Sequence, residues 1–296
     1  MPPAISVVIP AYNAAGLIEA TLLALQAQRL NAEIIVVDDA STDATAACVG
    51  RHRDVRLLRL EQNQGRAAAR NAGAGLACAE VLLFLDCDRV PAGPDFLSAH
   101  LALSGQAADG ACGTVEAAGS GFWARYQNHP CPPHGARVPL TAFSSANFSI
   151  RRSRFQSLGG FDTRYRRYGF EDRDFYARLL AAGGHLVSAP DARAQHIDQV
   201  NLAQSWQRLQ ECGEDSADRF RSAHPEQYRR MAYWYLDAGA HPLLRPFGRC
   251  LGWMLRPTLA GMDRMLAIEW LPFALRRAVA KAYSAAAFLY GTTRRR

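Results

Sequence analysis

Strand-like and helix-like segments alternate along residues 5–88, and this alternation constrains the fold more than any other feature of the sequence. The strand-like runs are rich in Val, Ile and Leu and cover 5–12, 32–41, 55–60 and 81–88. Helix-like segments lie between them, at 17–28, 42–49 and 65–77. Strands and helices at this spacing indicate βαβ units with right-handed crossovers. The sequence therefore predicts an α/β fold with a mostly parallel sheet and flanking helices.

The second half of the chain has a less regular pattern. Residues 104–142 are rich in Gly, Ala, Pro and Ser, and they predict a short strand, GACGTVEA, followed by a long loop. Further predicted elements are a strand at 144–150, two helices and a closing strand at 185–190. From about residue 199 onward the pattern is helical and interrupted by prolines. We therefore expect one α/β domain over 1–200 and a helical C-terminal region over 201–296.

Composition narrows the class of protein. A chain of 296 residues that is 49% hydrophobic can bury a full core.

The N-terminus, MPPAISVVIP, lacks the basic region of a secretion signal, and seven cysteines without a regular spacing fit reduced thiols. A cytoplasmic location is therefore expected. Cys131 and His134 are spaced like half a zinc site, but no second half follows, which favours a proline-rich loop. The net charge is +7, yet no recognisable nucleic-acid-binding module accompanies it, so no nucleic-acid partner is expected.

Two carboxylates end the fourth strand, in VLLFLDCD. Asp86 and Asp88 stand at positions i and i+2, which lie on the same side of an extended backbone. At the open end of a strand they could share a divalent cation, and oxygen ligands suit Mg²⁺ or Mn²⁺. The alternative is a solvated turn whose acids cap the following helix.

A second acid pair, Asp38 and Asp39, follows the second strand in VVDDASTD. The carboxyl ends of parallel strands are where α/β sheets bind ligands. Acids at two such ends indicate a nucleotide-diphosphate pocket, with one acid accepting from base or ribose and the other pair holding metal. The alternative role of Asp38 and Asp39 is to cap the next helix.

Seven segments occur in the order found in family 2 glycosyltransferases of the GT-A fold, and the chain resembles that family over roughly 4–200. The segments are VVIPAYNA, VVDDASTD, NQGRAAARNAG, FLDCD, ANFSIRR, LGGFD and FEDRDFYARLLAAG. The resemblance implies transfer of a sugar from a nucleotide-diphosphate sugar to an acceptor hydroxyl, with inversion and with Mn²⁺ or Mg²⁺. UDP-sugars are the default donor that the resemblance implies.

The resemblance also implies roles for residues on the donor side. Pro10, Ala11 and Tyr12 match the segment that lines the nucleobase. Asp38 and Asp39 match the acids that contact base and ribose, with Asp39 favoured for the base.

The remaining donor-side motifs concern the metal. Asp86 and Asp88 match the DxD motif: Asp88 is expected to be a direct metal ligand, and Asp86 a ligand or a ribose contact. Arg70 is expected either to contact the nucleotide or orient the metal-binding loop, or to form a structural ion pair. His196 matches a histidine that completes the metal site in many members, although a lone histidine after a strand is often a surface residue.

Glu171 and Asp172 match the ED motif, whose aspartate is the family's general base. A sugar hydroxyl has a pKa far above neutrality, so a carboxylate must accept its proton as the new bond forms. The alternative is that these acids favour a helix N-terminus. The Gln-x-x-Arg-Trp motif of processive members is missing from QSWQRLQ (204–210), which favours the addition of a single sugar.

Other classes of protein share parts of this pattern. A receiver domain also has strand-end acids, but it requires a lysine after a later strand, and Lys281 is the only lysine in the chain. A sugar nucleotidyltransferase requires a Gly-rich basic N-terminal loop, which ISVVIPAYNAAG does not provide. A catalytically inactive binding protein of the same fold retains the motif acids without the required geometry.

The C-terminal residues 243–296 mix arginines with Trp, Leu, Phe and Tyr. They contain no apolar run of the roughly 18 residues that a spanning helix needs. Basic helices with aromatic residues suit the surface of an anionic membrane, which would bring the enzyme to a glycan or lipid-linked acceptor. The alternative is a helical lid or an oligomer interface.

Overall fold

The computed structural model describes residues 2–103, 108–128 and 131–295. Parts of the predicted loop (104–107 and 129–130) and the terminal residues 1 and 296 lie outside this range. The chain folds into two compact units. The first comprises 1–118, 128–164 and 175–198; the second comprises 119–127, 165–174 and 199–296. The predicted boundary near 200 lies beside the start of the last segment, and the prediction did not include the two shorter segments in the second unit.

The first unit is built on one sheet, whose eight strands in the described residues are β1 (Ile5–Ala11), β2 (Ala32–Asp38), β3 (Val55–Arg59), β4 (Val81–Leu85), β5 (Arg89–Pro91), β6 (Gly110–Ala117), β7 (Asn147–Arg151) and β8 (Leu186–His196). Their spatial order is β3-β2-β1-β4-β7-β6-β8-β5.

The two halves of the sheet differ in strand direction. The neighbours among β1 to β4 pair in parallel, as the βαβ pattern predicts. Strand β7 runs antiparallel to both β4 and β6, and β5 runs antiparallel to β8. The predicted α/β fold is confirmed. The second half of its sheet contains both parallel and antiparallel strand pairs, whereas the first half is parallel.

The helices that flank the sheet are α1 (Ile18–Gln26), α2 (Thr45–Gly50), α3 (Arg66–Leu76), α4 (Phe96–Leu103), α6 (Arg152–Ser157) and α7 (Glu171–Ala181). Helices α1, α2 and α4 bury apolar side chains against one face of the sheet, in a cluster with Ile5, Val7 and Ile9. Helices α3, α6 and α7 cover the opposite face, in a cluster with Val8, Phe84 and Phe148. The alternation of Val7 and Val8 between the faces follows from the period of two in a strand.

The second unit is helical. Its helices are α5 (Phe122–Gln127), α8 (Leu202–Glu211), α9 (Ala217–Ala223), α10 (Pro225–Arg229), α11 (Ala232–Tyr235), α12 (Arg245–Leu255), α13 (Leu259–Leu266) and α14 (Phe273–Thr292), and it also contains the first four residues of α7. A core formed by Phe122, Leu202, Trp206, Leu266 and Tyr283 joins α5, α8, α13 and α14. No helix in the described parts of the chain has the length and apolar character needed to cross a membrane.

Candidate active site

The pairing of β5 with β8 brings the end of the DxD motif to a histidine far away in sequence. Arg89 lies opposite His196 in the antiparallel register, and the backbone N–H of Ile197 donates to the carbonyl oxygen of Asp88 at 3.1 Å. The turn that carries Asp86, Cys87 and Asp88 is held from α1, where the Thr21 hydroxyl donates to the carbonyl of Cys87 at 2.9 Å. Strand pairing therefore positions the acid turn.

Asp88, His196 and Asp198 form the candidate metal site. One potential ligand atom from each residue lies within 4.8 Å of the others. The His196 Nε2 is 3.3 Å from the Asp88 Oδ2. Two carboxylates and an imidazole can bind Mn²⁺, and a carboxylate-rich set of ligands can bind Mg²⁺. The ligand atoms of these three side chains therefore fit the expected ion.

The electrostatics of the turn keep both of its carboxylates ionised. Burial by itself would raise the pKa of Asp86, but the positive charges of Arg70, Arg66 and Arg89 outweigh it and lower the pKa to about 2. Burial by itself would also raise the pKa of Asp88. A hydrogen bond from His196 and the positive charge of Arg89 outweigh the effect of burial and lower the pKa of Asp88 below its usual range. An Arg89 nitrogen is 2.8 Å from the Asp88 Oδ1. Ionised carboxylates are the form that binds a cation.

Asp86, which was expected to be a metal ligand or a ribose contact, occupies a different environment from Asp88. The Nη2 of Arg70 donates to the Asp86 Oδ1 at 2.8 Å, and the Arg70 side chain is almost fully buried in α3. Asp86 is not among the residues of the three-membered cluster. Arg70 therefore forms the structural ion pair that was one of its expected roles, and it holds the acid turn.

Tyr12 is the exposed member of the segment expected to line the nucleobase. Pro10 and Ala11 are buried at the end of β1, whereas Tyr12 is 51% exposed. The ring of Tyr12 is thus available for stacking.

Asp38 ends β2 and has no exposed surface. Its Oδ1 accepts from the backbone N–H of Ser41 at 2.9 Å, and its Oδ2 is 3.3 Å from the Nε of Arg59.

Both carboxylate oxygens of Asp39 are used within the protein. They accept from the backbone N–H groups of Gln64 at 2.7 Å and Gly65 at 2.9 Å. Gly65 has a φ of 88° and precedes the first residue of α3. Asp39 therefore fixes the loop that leads into α3 through two hydrogen bonds. The spacing of the acids alone did not predict this role.

Asn71 and Arg178 position the LGGFD segment. The Asn71 side-chain amide donates to the carbonyl of Phe161 at 2.8 Å and accepts from its N–H at 2.9 Å. Arg178 donates to the carbonyl oxygens of Leu158 at 2.7 Å and Gly160 at 2.8 Å. A Cβ at Gly160, where φ is 69°, would lie 2.6 Å from the Asn71 side chain. These contacts explain why the segment needs glycine and place Arg178 in a supporting role.

The ED motif begins α7, within the second unit. Glu171 and Asp174 are buried, whereas Asp172 is partly exposed. Asp174 is 2.9 Å from the Nε2 of His224, and Asp172 accepts from the backbone N–H of Arg173 at 2.7 Å. Asp172 is thus the more accessible acid of the ED pair.

The aromatic residues beside this motif fix the start of the helix. Phe170 is fully buried with a φ of 67°, and its ring packs on Phe220 and Tyr233. The Arg173 guanidinium lies over the Phe170 and Tyr233 rings at 5.2 and 5.5 Å. A non-glycine residue in the left-handed region is costly, so tight packing must hold Phe170 there.

Sequence reasoning did not assign Asp198, the third member of the candidate metal site. The signal was present, because Asp198 stands two residues after His196, the same spacing as in Asp86 and Asp88. Within the described residues, Cys131 and His134 belong to no candidate metal cluster. The Cys131 thiol instead accepts from the Thr114 hydroxyl at 3.1 Å.

The mixed sheet, its flanking helices and the acids at the strand ends define the class: an α/β protein of the GT-A type. The sequence model of "Glycosyl transferase family 2" matches residues 6–171, more than half of the chain. The chain belongs to this family.

Relatives support the same assignment. The chain is 32% identical over 223 residues to validoxylamine A glucosyltransferase of Streptomyces hygroscopicus subsp. jinggangensis, an alignment that covers 61% of this chain and 52% of that protein. It is 26% identical over 279 residues to a pre-mycofactocin glycosyltransferase of Mycobacterium tuberculosis, covering 89% of this chain and 55% of that protein. The chain thus spans about half the length of these curated relatives.

Solved structures share the fold. The mannosyltransferase PcManGT from Pyrobaculum calidifontis, in complex with GDP-Man and Mn²⁺, aligns over 98% of this chain and 87% of its own with a TM-score of 0.61 and 22% identity. S. aureus TarS aligns over 99% of this chain and 90% of its own with a TM-score of 0.57 and 18% identity. These likenesses show the GT-A fold.

Proposed function

We propose that this protein transfers one sugar from a nucleotide-diphosphate sugar to an acceptor hydroxyl, with inversion and with a divalent metal ion. The observation that carries the proposal is the convergence of Asp88, His196 and Asp198 at the end of the acid turn. Family membership provides the reaction class, and the cluster provides a place for the diphosphate of the donor. Two structural relatives in complex with donors, PcManGT with GDP-Man and Mn²⁺ and TarS with UDP-GlcNAc, are consistent with it.

Asp88, His196 and Asp198 would hold the metal ion in this proposal. When bound, Mn²⁺ or Mg²⁺ would neutralise negative charge on the departing nucleotide diphosphate. Asp86 supports the turn through its ion pair with Arg70, and Tyr12 offers its exposed ring to the base. UDP is the default nucleotide.

Asp172 is the proposed general base. Its carboxylate accepts the proton of the acceptor hydroxyl while that oxygen forms a bond to C1 of the sugar. The bond between C1 and the diphosphate oxygen breaks at the same time, and the nucleotide diphosphate leaves. Attack on the face opposite the leaving group inverts the anomeric configuration. The partial exposure of Asp172, in contrast to the buried Glu171, supports this choice.

A lipid-linked or glycan acceptor at a membrane surface is the proposed setting. Helix α12 exposes Phe247, Leu251 and Met254, spaced by four and three residues, so they share one side of the helix. Trp253 and Trp270 are each 81% exposed. Exposed Arg256 and Arg264 stand nearby in sequence. Apolar and aromatic groups accompanied by arginines complement an anionic bilayer surface.

A donor panel tests the proposed reaction. The purified protein is incubated with UDP-, GDP-, dTDP- and CMP-sugars, a membrane extract that supplies acceptors, and Mn²⁺. We expect consumption of one donor with release of its nucleotide, and an inverted anomeric configuration in the product by NMR. Folded protein that consumes none of the donors would contradict the transferase proposal and favour an inactive binding protein. Retention of configuration would contradict the single-displacement chemistry.

A further inference from the structure

A cavity of about 380 Å³ lies among the C-terminal helices of the second unit and is rich in arginine. The residues that line it are Asp218, Arg221, Gly239, Arg245, Arg249, Thr292, Thr293 and Arg295. None of these residues takes part in the site proposed for sugar transfer. The volume is at the small end of the range for ligand pockets, which suits a headgroup or a small anion.

Two of the arginines are held in place by acids. Arg295 contacts both oxygens of Asp237, at 2.8 and 3.2 Å, and its Nε donates to the carbonyl of Gly213 at 2.9 Å. The Arg221 guanidinium pairs with Asp218. Asp237 has no exposed surface, and the Tyr228 hydroxyl donates to it at 2.9 Å. A Cβ at Gly239 would contact the Arg295 Nη1 and lie 3.0 Å from the Asp237 Oδ1, so a larger residue would crowd this ion pair. This wall of the cavity is therefore preorganised.

The other two arginines, Arg245 and Arg249, are exposed and one helical turn apart on α12. Neither guanidinium forms a hydrogen bond or ion pair with the residues that the structure describes. Helix α12 itself is fixed closely against α14, because a Cβ at Gly248 or Gly252 would meet Leu289 or Tyr290 at under 3 Å. The two arginines thus project from a firmly packed helix and retain all their donors for a ligand.

The charges of the cavity do not cancel. Four arginines face it, and Asp218 with the buried Asp237 behind it supplies two negative charges, which leaves an excess of two positive charges. Arginine binds phosphate oxygens through two parallel N–H donors, and such charge-assisted hydrogen bonds are stronger than neutral ones. An excess of positive charge in a recess concentrates anions.

We propose that this cavity binds a phosphate or diphosphate group, with Arg245 and Arg249 making the direct contacts. Arg221 and Arg295 supply the positive wall behind it. The phosphate group can belong to a lipid headgroup or to a water-soluble compound. The residues that line this cavity are not assigned to the proposed sugar transfer, and the test of the cavity does not depend on that reaction.

Calorimetric titration with inorganic pyrophosphate, in EDTA to exclude metal-dependent donor binding, tests the site. We expect the wild type to bind and the Arg245→Ala/Arg249→Ala variant to bind about tenfold or more weakly, since each arginine supplies charge-assisted hydrogen bonds. Arg53→Ala/Arg166→Ala removes the same charge from exposed arginines outside the cavity lining and should bind like the wild type. Absence of binding to the wild type, or equal affinity of the Arg245→Ala/Arg249→Ala variant, would overturn the proposal.

Vesicle sedimentation distinguishes the two sources of the phosphate group. The vesicles contain phosphatidylcholine either alone or with phosphatidic acid. Stronger loss of phosphatidic acid binding in Arg245→Ala/Arg249→Ala than in Arg53→Ala/Arg166→Ala would identify a lipid headgroup. Equal vesicle binding by the two variants, with pyrophosphate binding lost only in the first, would identify a water-soluble phosphate.

Discussion

Asp86 and Asp88 show how two identical side chains, separated by a single residue, receive different roles. Arg70 reaches Asp86 from α3, while His196 and Asp198 reach Asp88 from the end of β8. The acid pair itself could be predicted from VLLFLDCD. The family resemblance also predicts Asp88 as a direct ligand and Asp86 as a ligand or a ribose contact. The residues that contact each acid could not be predicted from the local pattern, because only the folded sheet brings the arginine and the histidine to the turn.

Asp172→Asn is expected to reduce sugar transfer by roughly 10²–10⁴-fold, because asparagine cannot accept the hydroxyl proton. Donor binding should stay near the wild-type value, since Asp172 is not assigned to the donor. Transfer rates and calorimetric donor affinity are measured on the same preparations. Asp191→Asn, which changes an exposed acid on β8, is the matched control. Loss of donor affinity in Asp172→Asn, or near-normal transfer, would remove Asp172 as the base.

His100 is expected to make the protein less stable in mild acid. It is fully buried between Ser149 and Asn147, 3.1 and 2.9 Å away, and burial lowers its pKa to about 4. An unfolded histidine has a pKa of about 6.5, so the unfolded state binds the proton first as pH falls. The contribution of His100 is present in full above about pH 6.5 and is lost progressively down to about pH 4, by about 3 kcal/mol.

The measurement is the free energy of unfolding in urea at about pH 7 and about pH 4.5 for the wild type and His100→Gln. The wild type should lose more stability than the variant over this interval. His134→Gln, at an exposed histidine, is the control and should follow the wild type. Equal pH dependence of the wild type and His100→Gln would show that His100 is not the group responsible.

At the scale of elements, β8 shows what a local pattern can and cannot predict. The sequence predicted a strand at 185–190, whereas β8 runs from Leu186 to His196. From Asp191 to His196 exposed polar residues alternate with buried ones, a pattern with strand periodicity. The residues themselves are weak strand formers, and pairing with β6 and β5 stabilises the extension. This extension carries His196 to the acid turn.

Helix α12 is expected to attach the protein to anionic membranes through its apolar side. Phe247→Glu/Leu251→Glu places two negative charges on that side and should abolish sedimentation with vesicles that contain phosphatidylglycerol. Leu23→Glu, at an exposed apolar residue of α1, should leave sedimentation unchanged. If the Phe247→Glu/Leu251→Glu variant sediments like the wild type, membrane contact through α12 is excluded.

At the scale of the whole molecule, the order of the first four strands and their helices was predictable because each βαβ unit is local in sequence. The grouping of the chain into units was not. Segments 119–127 and 165–174 belong with the C-terminal helices, where Phe122 joins the core of α8 and α14 and Phe170 packs on Phe220. Such long-range partners leave no periodic signal. The ED motif could be recognised because its residues are adjacent in sequence. The packing that fixes its helix could not be predicted, because it involves residues that are distant in sequence.

Asp88, His196 and Asp198 are proposed to bind a metal ion that in turn binds the donor nucleotide. The most direct test is calorimetric titration with UDP, GDP, dTDP and CMP, with and without Mn²⁺, of the wild type, Asp88→Ala and the control Asp191→Ala. We predict that one nucleotide binds the wild type and the control only when Mn²⁺ is present, and that Asp88→Ala binds it about tenfold or more weakly. Equal nucleotide affinity with and without Mn²⁺, or an Asp88→Ala variant that binds like the wild type, would contradict the account.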